Sequence, residues 1–230
     1  MMFVRLALAL GLFSSLAWAA PFEDSMAQRT MACTLCHGAQ GKSGPDGYYP
    51  RLAGKPAGYL LNQLHNFKAG RRQYAPMQHL LAPLDDAYLA EIAQYFSKLD
   101  IPYPAPPVQT ASAALLLRGK TLAHSGDKAL QIPACVQCHG MALTGVQPFT
   151  PGLVGLPRDY LNAQIGSWQS GQRKAHAPDC MASIAKRLSD ADVYAVTTWL
   201  AIQSVPHPSQ AANARPSIPD ASPMACGSTP

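Results

Sequence analysis

The run Cys33-Thr34-Leu35-Cys36-His37 returns 102 positions later as Cys135-Val136-Gln137-Cys138-His139. No other feature restricts so strongly what a chain of this kind can fold into. The Cys-x-x-Cys spacing serves three chemistries. Structural zinc takes four ligands, but the two pairs lie far apart, each at the head of its own segment, and the adjacent His would go unused. Thiol–disulfide exchange goes with a βαβ context, whereas the patterning here is helical. Covalent haem attachment uses every residue: two thiols form thioethers with the porphyrin, and the next residue, His37 or His139, ligates the iron. A bound macrocycle would also supply a large part of the core of so small a unit.

The repeat extends well beyond the motif. Leu52, Gly54, Pro56, Tyr59, Leu60 and Gln63 align with Leu153, Gly155, Pro157, Tyr160, Leu161 and Gln164. Gly70 and Arg72 align with Gly171 and Arg173, and Met77, Leu84 and Asp86 with Met181, Leu188 and Asp190. The chain is therefore a tandem duplication. Helical spacing recurs in both copies: Tyr59, Leu60, Gln63, Leu64 and Phe67 share one face, as do Leu89, Ile92, Tyr95, Phe96 and Leu99, and Val193, Val196, Trp199 and Leu200. A further helix is expected before each motif, over residues 23–31 and 113–124, and no period-2 strand is evident. The fold class is all-α, in two tandem domains related by internal duplication.

The N-terminus sets the compartment. Arg5 precedes an apolar run from Leu6 to Leu16, followed by Ala17-Trp18-Ala19. This is the pattern of a secretory signal peptide over residues 1–20, and the run falls short of the about 20 residues a membrane span needs. Residues 21–99 then form the first haem domain. Residues 100–112, with Pro102, Pro104, Pro106 and Pro107, form an extended linker. Residues 113–203 form the second haem domain, and residues 204–230 a Pro/Ser/Ala-rich tail that alone would be disordered. A net charge of +5 with only 13% charged residues leaves no basic stripe for nucleic acid.

The second axial position of each iron decides what a c-type haem does. Met77 and Met181 each stand seven residues before an aligned Leu, in segments that read as irregular. A thioether is a soft ligand, and their equivalence in the repeat argues against ordinary packing residues. His79 and His176 lie nearby and are weaker rivals. His65, His124 and His207 have no counterparts and read as surface residues. Two cysteines remain, Cys180 and Cys226. In an exported protein an even remainder suggests a disulfide, although Cys180, beside Met181, is also a possible iron ligand.

From residue 23 to 202 the chain resembles the dihaem class I cytochromes c, most of all the cytochrome c4 family. The resemblance is carried by Cys33, Cys36, His37, the segment from Tyr49 to Gly54 and Met77, and by Cys135, Cys138, His139, the segment from Thr150 to Gly155 and Met181. It implies two covalently bound haems c with His/Met ligation, placed about a pseudo-twofold axis, and carbonyls near Pro50 and Pro151 that hold the proximal histidines. Saturated irons carry electrons by outer-sphere transfer and leave no position for a substrate. The expected protein is a periplasmic electron carrier without catalytic residues. Its partners would be a respiratory donor and a terminal acceptor such as an oxidase, met either freely or within a membrane complex. A dihaem peroxidase, a thiosulfate-oxidising cytochrome and a fixed subunit of a membrane dehydrogenase or oxidase stay open as alternatives. The short segment before Cys33 and the Cys-bearing tail depart from the family pattern.

Overall fold

Each half builds its helices from the same signals. Helices α3 (Ala57–Lys68) and α8 (Arg158–Gln169) start immediately after Pro56 and Pro157, where proline cannot extend a helix backwards. They stop before Gly70 and Gly171, both at positive φ. Helix α5 (Asp86–Lys98) is capped by the Asp85 carboxylate, which accepts from Tyr88 N–H, and α10 (Asp190–Ala201) by the Ser189 hydroxyl, which accepts from Asp192 N–H. The computed structural model describes residues 23–44, 46–108, 110–218 and 224–229. The expected leader over residues 1–20 lies outside the described residues.

The haem motifs occupy short helices, α2 (Met31–His37) and α7 (Cys135–His139). Before them the halves diverge. Helix α6 (Ala113–His124) covers the span expected for it. In the first half the described helix α1 is only Met26–Arg29, and it breaks at Thr30 before α2 begins. Met77 and Met181, expected in irregular segments, sit instead in one-to-two-turn helices, α4 (Ala75–Leu81) and α9 (Cys180–Ala185). The strands are minimal: β1 (Gly145–Val146) pairs antiparallel with β2 (Thr150–Pro151). Among the described residues no helix is long and apolar enough to cross a membrane.

The cores differ accordingly. In the second half one cluster joins Leu122, Val136, Leu143, Val154, Leu161, Val196, Trp199 and Leu200. It draws on α6 as well as α10, which cross at Gly119; a Cβ there would overlap the Ala195 carbonyl. In the first half the core is in two pieces, Leu60, Ile92, Ala93 and Phe96 in one and Phe67, Leu81 and Leu89 in the other.

The halves meet through α3 and α8 and the turns that follow them. Arg72 and Arg173 face each other as an antiparallel bridge. Gln73 N–H donates to the Gln172 carbonyl at 3.0 Å, and Lys174 N–H to the Arg71 carbonyl at 2.7 Å. The linker is held on the first half: buried Arg51 donates to the carbonyls of Ala53, Ile101 and Pro102 and stacks 3.9 Å from the centre of the Tyr103 ring.

Candidate haem sites and the seam between them

His37 and His139 end their helices buried, each 7% exposed. Burial disfavours the imidazolium and lowers both pKa values, against the opposing effect of the carbonyls that face them. His37 Nδ1 lies 2.7 Å from the Pro50 carbonyl and His139 Nδ1 2.7 Å from the Pro151 carbonyl. A carbonyl only accepts, so Nδ1 carries the proton and Nε2 presents its lone pair outward. That is the tautomer a metal needs, and the second bond fixes the ring plane.

In the first half His37 opens onto a cavity of about 950 Å³ between the two pieces of the core. Cys33 lines it on the motif side, Met77 on α4 lines it too, and Leu52, Leu60, Leu64, Phe67, Ile92 and Phe96 make it apolar. Its size falls in the range of pockets that bury a cofactor-sized ligand. The structure thus brings Cys33, His37 and Met77 to one space, with Cys36 on the exposed flank of α2. In the second half the matched elements carry Cys135, Cys138, His139 and Met181, and burial pushes the Cys135 thiol up to about 11. Trp168 takes the place of Phe67; its indole N–H is buried and has no hydrogen-bond partner among the described residues, as fits a polar group of a bound molecule.

The rival ligands point elsewhere. His79 is exposed, with Nδ1 2.8 Å from the Ala75 carbonyl, and exposed His176 has Nε2 3.2 Å from Arg71. Cys180 is joined to Cys226 in a disulfide with Cα atoms 5.3 Å apart, so it offers no thiolate.

The cavity continues to the seam, where a cluster forms that sequence reasoning did not assign a role. Arg72 donates to Gln63 at 3.1 Å in its own half, and to Gln164 at 2.7 Å and Tyr160 at 3.5 Å in the other. Arg173 mirrors it, donating to Gln164 at 2.7 Å, Gln63 at 2.9 Å and Tyr59 at 3.4 Å. Arg173 and Lys55 are buried, and no carboxylate among the described residues pairs with Arg72, Arg173 or Lys55. The excess of positive charge registers on Tyr59: burial alone would raise its phenol, yet Arg173, Arg72 and Lys55 outweigh it and bring it down to about 8. Buried cations call for anions, and a haem carries two carboxylates. Arg173, Gln164 and Tyr160 line the cavity of the first half although they belong to the second. The signal was present in the sequence, since Tyr, Gln and Arg each align with themselves, but their meeting across the seam was not.

Taken with the duplication, these features define a class I cytochrome c twice over, with haem c as cofactor. The chain belongs to the cytochrome c4 family of dihaem electron-transfer proteins. It is 35% identical to a cytochrome c4 from Pseudomonas aeruginosa, over 86% of this chain and 96% of that one. It is 39% identical to a thiosulfate dehydrogenase electron acceptor from Thiomonas intermedia, over 92% and 97%. Among solved structures, reduced cytochrome c4 from Pseudomonas stutzeri superposes with a TM-score of 0.65 at 30% identity, covering 76% of this chain and 94% of that one. The thiosulfate dehydrogenase TsdBA from Marichromatium purpuratum superposes equally, at 0.65 and 32% identity; the match covers 74% of this chain and 36% of that longer one. No family model matches the chain.

Proposed function

We propose that the mature chain is a periplasmic shuttle with two covalent haems c, which takes electrons one at a time from a thiosulfate-oxidising enzyme and delivers them to a terminal acceptor such as an oxidase. The observation that carries this reading is that one cavity is lined by Cys33, His37 and Met77 together, an arrangement repeated by position in Cys135, His139 and Met181. Cys33 and Cys36, and Cys135 and Cys138, would hold the haems. His37 with Met77, and His139 with Met181, would fill both axial positions. A haem so ligated supplies one-electron exchange at a raised potential with no open coordination site. The chain's own residues do the rest. Pro50 and Pro151 orient the imidazoles, the apolar walls exclude water, and Arg72 and Arg173 would compensate the carboxylates of a bound haem. The domain limits, 21–99 and 113–203, and the leader over 1–20 belong to the same proposal.

The choice of donor rests on relatives named as electron acceptors of thiosulfate dehydrogenase. The Marichromatium chain, in which the matching part is a fraction of a thiosulfate dehydrogenase, favours a second reading as a fixed electron-transfer module.

The test mixes the purified holoprotein with thiosulfate, with and without a separate thiosulfate dehydrogenase, and follows the reduced haem band. Reduction is expected only with the enzyme present, and denaturing mass spectrometry of the processed chain should show the mass of two haems. Turnover of thiosulfate by the chain alone would overturn the shuttle. Co-elution with the dehydrogenase at dilute concentration would favour the fixed module.

A further inference from the structure

The two haem motifs match in sequence and differ in cover. In α2 Leu35 and Cys36 are exposed, Leu35 by 85%, and Thr34 is half-buried. At the same positions of α7, Val136 is buried and Gln137 and Cys138 are half-buried. The tail lies against this second site. Ala212 runs alongside Val146 as a parallel bridge; its N–H donates to the Gly145 carbonyl at 2.9 Å, and its carbonyl accepts from Gln147 N–H at 2.8 Å. This extends the small sheet that carries Pro151, the partner of His139. Ala211 is buried, and Ile218 packs on the second core.

The end of the tail is fastened on the other side of the pocket. Cys226 is bonded to Cys180, the neighbour of Met181. Gly227 N–H donates to the Pro178 carbonyl at 3.0 Å, and His176 N–H to Ser228 Oγ at 3.3 Å. Arg215 ties the two stretches together by donating to Thr229 Oγ1 at 2.9 Å. The tail is thus anchored beside the proximal ligand at one point and beside the distal candidate at another. Among the described residues the first half has no such cover over α2.

We propose that residues 204–218 and 224–229 form a strap that closes the second haem pocket on its solvent side, so that electrons enter and leave through the first haem and reach the second across the seam. The proposal rests on the two-haem reading above. It makes the halves unequal in role: the first is the port, and the second is a sheltered store one step inward. A side chain at the port acts on protein partners, whereas the strap acts only on access to the second haem.

Access can be read without electron transfer. A neutral soluble gadolinium chelate relaxes the haem methyl protons of the ferric holoprotein according to their exposure. In the intact protein the methyls of the first haem should relax at least threefold more than those of the second. Two variants test the strap, a chain ending at Gln203 that also carries Cys180→Ser, and the milder Ala212→Pro, which removes the N–H that donates to Gly145. In each, relaxation of the second haem should rise at least threefold with the first unchanged. Equal relaxation in the intact protein, or no rise in either variant, overturns the strap. The port is read from the second-order rate of reduction by a reduced single-haem cytochrome c. Leu35→Glu should slow it at least fivefold and Gln137→Glu less than twofold, and the reverse order overturns the port. A haem count other than two in these samples sinks the two-haem reading; a count of two with equal relaxation sinks only the strap.

Discussion

Helices α1 and α6 stand before equivalent motifs, yet α1 has four residues and α6 has 12. The difference propagates. With α6 in place, Leu122 and Ala123 join a single core with Val136, Val196 and Trp199. With only α1 described in the first half, the core stays in two pieces around the cavity, and the motif helix lies open. The same attachment chemistry is therefore set in two environments, one open to solvent and one enclosed by a helix crossing and a tail. Enclosure disfavours net charge, so on the proposed reading of two like-ligated haems the enclosed one is expected at the higher potential, because reduction removes a positive charge.

The comparison breaks most severely at the α6–α10 crossing. Gly119→Val would drive a side chain into the Ala195 carbonyl and the Trp199 Cβ. The expected loss is about 3 kcal/mol, the upper end of overpacking costs. Denaturant unfolding followed at each haem should show the second half melting early while the first keeps its midpoint.

The next effect lies at the seam. Arg173→Met removes charged hydrogen bonds to Gln63, Gln164 and Tyr59, at a cost on the order of 2 kcal/mol. It also removes a buried cation from the lining of the first cavity. A redox titration resolved by haem should find the first haem shifted to lower potential more than the second, even though the substitution lies in the second half. Arg72→Met, at a half-buried position, should do less. A shift confined to the second haem would show that the seam does not share its charge.

The smallest effect separates the halves by acid. Arg118 on α6 donates to Asp192 on α10 at 2.7 Å and pairs with Asp127 at 2.9 Å. The hydrogen bond from Arg118 outweighs burial and holds the Asp192 carboxyl below the usual carboxylate range. A lowered folded pKa means that this contribution is full above the unfolded value near 4 and is lost as pH falls through the folded one. In the first half the comparable pair, Arg29 with Asp24, is largely exposed and should count for little. Amide exchange between pH 5 and 2 should show α6 and α10 loosening before α5. Asp192→Asn should flatten that dependence at a cost of about 1 kcal/mol at neutral pH.

The haem chemistry, the duplication and the helical class were legible along the chain. The Cys-x-x-Cys-His motif keeps two sulfurs and an imidazole within five consecutive residues, and a repeat aligns with itself whatever its fold. Helix limits at Pro56, Gly70, Asp85 and Gly171 follow likewise from residues adjacent in sequence. Packing settled that Met77 and Met181 ride on short helices, that Arg72 and Arg173 exchange partners across the seam, and that Ala212 pairs with a strand more than 60 positions before it. Those outcomes depend on which surfaces remain unburied once each half has closed. The neighbours that settle this are brought together by packing, and no spacing along the chain encodes them.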